Sequence, residues 1–211
     1  MSAQGAGALC RTRLRPGERA RRPALRPARR VASAPRRLTA EPLSRCPGCG
    51  LVHPEREGPT HPYLVASPGC WAMYGEVLAR EYGDPAYFRV HQLTVDTYAV
   101  QHPGRRERRT IQSLGLHLSS LCLVVERGGD PTAGPRFHRR LAGRAGFDWL
   151  EPPEPRGRLT VADVRGAGDP GEHAAAVEAW ARDVWAAWAP TMRPSVAGSN
   201  AGSGGPSSEE R

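Results

Sequence analysis

The stretch "SPGCWAMYGEVLAREYG", Ser67 to Gly83, decides the fold class. Ser67 is a helix N-cap, and Pro68 takes the first helical position, where a missing N–H costs nothing. Gly83 stops the run. Trp71, Tyr74 and Leu78 recur at helical spacing and form one apolar stripe.

The same grammar appears twice more. "DPAYFRVHQLTVDTYAVQHPG", Asp84 to Gly104, has Asp84 as cap, Pro85 at the first position and Pro103-Gly104 as the stop. "DPGEHAAAVEAWARDVWAAWAP", Asp169 to Pro190, pairs Asp169 and Pro170 with Glu172 where a capping-box acid belongs. Its Trp180, Trp185 and Trp188 read as core. Between these, "RRTIQSLGLHLSSLCLVVERGG" sets Ile111, Leu114, Leu118, Leu121 and Val125 at helical spacing. It is apolar on more than one face, which predicts that it is the central helix. The expectation is an all-α bundle of four main helices, opened by a small Cys-containing loop resembling a zinc knuckle.

Outward from these helices the chain divides into three zones. Residues 1–40 predict a disordered Arg/Pro-rich arm, residues 41–190 a single helical domain, and residues 191–211 a disordered Gly/Ser-rich tail. Residues 130–168 read as irregular, with a short helix near Phe137 to Leu141 and a strand-like "RLTVADV" at 158–164.

Of the 211 residues, 30 are basic, 21 acidic and none is Lys, for a net charge of +9. Residues 1–40 hold eleven Arg and one Glu, so the rest holds nineteen Arg against twenty acids and is nearly neutral. Nucleic acid is therefore an expected partner only through residues 1–40, by counterion release, and the arm lacks aromatics for stacking on bases. The missing Lys excludes a G-x-x-x-x-G-K phosphate loop and Schiff-base chemistry. No run of about 18 apolar residues predicts a membrane span, and the N-terminus lacks the apolar segment of a secretory signal. The cytoplasm is the expected location.

"GAGDPG", Gly166 to Gly171, is a literal G-x-G-x-x-G. A dinucleotide site needs a further parallel strand after the helix, and here the helix runs into the tail. Pro170 also removes an N–H from the turn. The motif reads as a helix-capping loop.

The chemistry gathers at cysteines. Cys10 falls in the arm and Cys122 within an apolar helix, which leaves "CPGCG", Cys46 to Gly50, and Cys70. A C-x-x-C loop turns two sulfurs to one point, and Cys70, in the first turn of a helix, is a natural third ligand for zinc. A redox pair is the alternative, but that expects C-x-x-C to open a helix after a strand, and no strand is expected before Cys46. The fourth ligand is sought among His53, His61, His91, His102 and His117. His91 and His102 lie about 16 Å apart along one helix, so they cannot share an ion.

In this order, "CPGCG", Cys70, "HQLTVDTYAVQHPG", "LHLSSL" and a Trp-rich last helix, the sequence resembles an uncharacterised bacterial family, a domain of unknown function. Its members share a C-P-x-C-G start and an H-x-L-T-V…Q-H-P helix. The resemblance covers residues 46–189, with Cys46, Cys49, Cys70, His91, Asp96, Tyr98, Gln101, His102 and His117 at matching positions. It implies no activity, and it directs attention to the helix over 85–102. Tyr98 and His102 lie one turn apart there, able to present a hydroxyl and an imidazole together. The plainer reading is that Gln101 and His102 tie down the turn into Pro103.

Two functions follow. The first is a zinc-stabilised helical module that binds a protein or small-molecule partner, with metal ligands Cys46, Cys49, Cys70 and one of His91, His102 or His117. The second is a metal-dependent enzyme with Tyr98, His102 or Asp96 as acid or base. Ligand count separates them, because four protein ligands close a site and three leave it open.

Overall fold

The computed structural model describes residues 41–142 and 146–192. The arm at 1–40 and all but the first two residues of the tail at 191–211 lie outside these. The first elements are two short strands, β1 (Leu43–Arg45) and β2 (Val52–Pro54). They pair antiparallel with Ser44 opposite His53. A strand therefore precedes Cys46, contrary to expectation. A second strand, not a helix, follows Cys49, so the order required of a redox pair is not present.

Among the described residues seven helices follow: α1 (Pro68–Gly83), α2 (Pro85–Phe88), α3 (His91–Gln101), α4 (Arg108–Leu121), α5 (Gly134–Ala142), α6 (Val161–Arg165) and α7 (Pro170–Met192). The fold is all-α, with α1, α3, α4 and α7 as its main helices. The caps act as the sequence predicts. Ser67 accepts from the Cys70 N–H, and Asp84 accepts from the Ala86 N–H. Asp169 accepts from the N–H groups of Gly171 and Glu172, while Glu172 reaches back to the Gly168 N–H. The glycines of "GAGDPG" thus form the loop that starts α7. Before them stands α6, not a strand, because Thr160 and Asp163 build a reciprocal capping box.

The helix expected over 85–102 is two. A turn at Arg89–Val90 separates α2 from α3, so His91 opens a new helix and donates from Nδ1 to Glu81 Oε2 of α1 at 2.7 Å. At the other end, α7 runs through Thr191 and Met192, which the tail was expected to contain.

The central helix is α3, not α4. Eight of its eleven residues are buried, among them Thr94, Asp96, Thr97 and Gln101. It packs on both α4 and α7, while α1 lies against α6. These polar residues are buried because they are satisfied. Thr94 donates to Glu81, and Thr97 to the Leu93 carbonyl. Gln101 donates to the carbonyls of Arg156 and Leu159 and accepts from the Trp180 indole N–H. A polar group with all its partners can replace an apolar one in a core, so apolar content alone misidentified the centre. Around α3 the core is Tyr74, Val77, Leu93, Tyr98, Leu118, Leu121, Val177, Trp180, Val184 and Trp188.

After Leu121 the α4 backbone widens into a π-turn over Cys122–Glu126. Glu126 accepts there from the Trp185 indole N–H at 3.1 Å, which ties the end of α4 to α7. None of the described helices is long and apolar enough to cross a membrane.

Candidate metal centre

"CPGCG" forms the tip of the β1–β2 hairpin. The Cys46 N–H bonds the Leu51 carbonyl and the Gly50 N–H bonds the Cys46 carbonyl, closing a tight loop. Gly50 sits at φ +77°, a left-handed conformation that glycine adopts without strain. Gly48 is needed for a different reason: a Cβ there would run into the His102 ring and the Val65 carbonyl. The loop is packed directly on the end of α3.

Three elements therefore meet at one point. Cys46 and Cys49 come from the hairpin, Cys70 from the first turn of α1, and His102 from the C-terminal end of α3. Their ligand atoms all lie within 4.8 Å of one another. The Cys49 and Cys70 sulfurs are 3.8 Å apart, and Cys70 Sγ is 3.4 Å from His102 Nε2. A tetrahedral zinc with bonds of about 2.3 Å to sulfur and 2.0–2.1 Å to nitrogen sets neighbouring sulfurs about 3.8 Å apart, and sulfur and nitrogen about 3.5 Å apart. The separations fit such an ion. They are far from the ~2.05 Å of a disulfide, and all four described cysteines are free.

The surroundings prepare each ligand. His102 Nδ1 donates to the Tyr98 carbonyl at 2.8 Å, which leaves the Nε2 lone pair facing the sulfurs. Ligating histidines are commonly oriented in this way by a bond from the other ring nitrogen. The Tyr98 hydroxyl, fully buried, lies 3.5 Å from Cys70 Sγ and can donate to it. Burial, followed by the nearby Cys70 sulfur, pushes the Tyr98 phenol well above its ordinary range, so it remains a proton donor. Arg156 donates to the Gly48 carbonyl at 3.0 Å and sets a positive charge beside the cysteine loop.

The thiols cannot all behave alike. Hydrogen bonds from Cys49 and Cys70 hold Cys46 far below the usual thiol range, against its burial. Cys49 is pushed up to about 12, first by its hydrogen bond to Cys46. Cys70 is raised as well, through its bonds to Cys46 and Cys49 and then by burial. A dication held at this buried point would take the place of the protons on the sulfurs.

The remaining candidates lie elsewhere. His53 is buried at the hairpin, with Nδ1 on the Pro54 carbonyl at 2.8 Å and Nε2 on Ser67 Oγ at 2.6 Å. It fastens β2 to the cap of α1, and Gly69 leaves room for its ring. His61 packs between Tyr63 and Trp71. His91 pairs with Glu81, and His117 Nδ1 pairs with Asp96 Oδ1 at 2.7 Å. Of the three histidines weighed as fourth ligand, His102 is the one brought to the cysteines; His91 and His117 are not.

Three residues were missed by sequence reading. Glu81 is fully buried and takes hydrogen bonds from His91, Thr94 and His173. It lies on the face of Cys70, Tyr74 and Val77, so an acid at core spacing was the available signal. His173 and His138 carried no such mark.

A family model described as a family of unknown function, DUF5946, matches residues 44–189. The chain belongs to DUF5946. The matched span begins in β1 and ends within α7, so it takes in the hairpin, Cys70, α3 and His102. No curated protein and no solved structure matches the chain. The Cys46, Cys49, Cys70 and His102 of this DUF5946 member are positioned to hold a metal ion.

Proposed function

We propose that this DUF5946 chain is a zinc-stabilised helical protein in which Cys46, Cys49, Cys70 and His102 hold one structural zinc ion. The observation that carries the reading is a complete donor set in a buried place. Three thiolates and one imidazole fill a tetrahedron, and Cys46, Cys70 and His102 are at most 1% exposed. Such a centre leaves no position for water or substrate, which is the pattern of structural zinc. Soft sulfur donors select zinc over the harder divalent ions.

The architecture explains what the ion does. A hairpin of two three-residue strands is not stable alone. Here it is fastened to α1 and α3 by the metal ligands, and to α1 by the His53–Ser67 bond. The metal turns an unstable hairpin into part of the core, and the helical body so formed acts by binding a protein or small-molecule partner. Free thiols suit a reducing compartment, and we place the protein in the cytoplasm.

The enzyme reading loses two of its three candidates to this centre. Tyr98 and His102, both fully buried, serve the ion as hydrogen-bond donor and ligand. Asp96 faces a different group of residues.

The test is cobalt substitution of the full chain, purified without a His tag. Thiolate-to-cobalt charge-transfer absorption is expected in wild type and in Cys122→Ser, and is lost in Cys46→Ser. Chelation should unfold the hairpin and lower the melting temperature. A folded wild type with no thiolate-bound metal overturns the proposal.

A further inference from the structure

Asp96, His117 and His138 come from three different helices, α3, α4 and α5, and their ligand atoms also lie within 4.8 Å of one another. We propose that these residues hold a second divalent transition-metal ion, bound by three protein groups and open on its solvent side to water or an anionic ligand.

One carboxylate oxygen faces an excess of nitrogen. Asp96 Oδ1 accepts from Gln92 Nε2 at 2.9 Å and from His117 Nδ1 at 2.7 Å, and His138 Nε2 stands 3.2 Å away. A carboxylate oxygen has two lone pairs, and both are already taken. His138 Nε2 is buried and makes no hydrogen bond, despite its closeness to the carboxylate. A buried ring nitrogen without a partner is costly. A metal ion removes the conflict, because both imidazoles then give lone pairs to the ion and Gln92 alone continues to orient the carboxylate.

The donor set also suits an ion. Two imidazoles and one carboxylate on neighbouring positions form the three-residue face that leaves the rest of a coordination sphere free. Neighbouring ligand atoms around an ion with bonds of 2.0–2.1 Å lie about 3.0–3.4 Å apart. The His138–Asp96 separation already fits, and His117 need move back only a few tenths of an ångström.

Exposure differs across the three residues. Asp96 is 1% exposed, whereas the side chains of His117 and His138 are 17% and 19% exposed. The carboxylate lies at the floor and the rings at a rim that solvent reaches. A dication on one carboxylate keeps a net positive charge and so favours an anionic fourth ligand. The three thiolates of the other centre make zinc there net negative. One centre is closed and the other open, and an open one can act as a Lewis acid or activate water. The inference does not depend on the cysteine centre.

The test is a cobalt titration of the full chain without a His tag. Two equivalents are expected in wild type, one with the thiolate charge-transfer band and one without it. His138→Gln and His117→Gln should each abolish the thiolate-free equivalent, weakening it beyond the roughly 10–100-fold that outer-shell changes cost. Both variants should retain the thiolate band, which reports that the rest of the molecule is folded. A wild type that takes up only the thiolate-bound equivalent overturns the proposal, as does a thiolate-free equivalent that survives both substitutions. In either case the three residues are a hydrogen-bonded group of the core.

Discussion

His102 Nε2 stands 3.4 Å from Cys70 Sγ, across 32 residues of sequence. Neither residue could reach the other without the elements that carry them. Ser67 caps α1 and fixes Cys70 in its first turn. The Leu64–Pro103 bridge and the Val65 N–H to His102 carbonyl bond, at 3.1 Å, hold the end of α3 against the segment that precedes α1. The cysteine hairpin closes over both. The four residues are thus brought together by ordinary backbone packing, and an ion held there would lock an arrangement that the helices have prepared.

That packing predicts the effect of a residue that is not a ligand. Gly48→Ala places a methyl group against the His102 ring and the Val65 carbonyl. His102 is displaced while every donor atom remains. The expected outcome is a fall in zinc affinity of about 10–100-fold, the size of other indirect changes at metal sites. Competition with a chromogenic chelator measures it, and an unchanged affinity would show that the loop yields more easily than its contacts imply.

Zinc uptake should also release protons in a telling number. Before metal arrives, Cys46 is held as thiolate, while Cys49, raised to about 12, and Cys70, also raised, keep their protons at neutral pH. Binding in the folded state should therefore release about two protons, not three, and affinity should rise with pH as proton competition falls. Indicator-dye titration in weak buffer counts them. A release near three would mean that Cys46 is not held as thiolate in the metal-free protein.

How far the sequence could be read follows from the same residues. Caps are local, so Ser67, Asp84, Asp169 and Glu172 were legible, and with them the main helices. The thiol set was legible because C-x-x-C and a helix-opening Cys have few other uses. The choice of His102 was not, since it depends on where α3 ends relative to a hairpin more than fifty residues earlier in the chain. The centrality of α3 was hidden for a related reason: Thr94 and Gln101 look like surface residues until their partners elsewhere in the chain are known. "RLTVADV" looked like a strand, and the Thr160–Asp163 capping box instead starts a helix within it.

Glu81 offers a test of the buried polar layer. It accepts from His91 Nδ1 at 2.7 Å, Thr94 Oγ1 at 2.6 Å and His173 Nε2 at 2.9 Å, joining α1 to α3 and α7. Glu81→Gln replaces one acceptor oxygen with an NH2 group that faces another donor. The expected cost is about 2 kcal/mol or more, or a fall of about 4–8 °C in melting temperature for a domain of this size. Thermal melting of the zinc-loaded protein reads it. An unchanged melting temperature would mean that these bonds are no better than those the groups make with water.

Gln101 should prove costlier than its neighbours on the apolar scale suggest. Its amide nitrogen donates to the Arg156 carbonyl at 3.1 Å and the Leu159 carbonyl at 2.9 Å, and its oxygen accepts from Trp180 Nε1 at 3.1 Å. Gln101→Leu conserves volume and adds apolar surface, so a purely hydrophobic account predicts a gain. The hydrogen-bond account predicts a loss, because the indole N–H and two carbonyls are left in the core without partners, each at about 1–3 kcal/mol. Arg156 also donates to Gly48, so freeing its segment should loosen the cysteine loop and lower zinc affinity together with stability. Urea unfolding and chelator competition on the same variant decide between the accounts. A loss of stability with unchanged zinc affinity would confine Gln101 to the core and disconnect it from the metal centre.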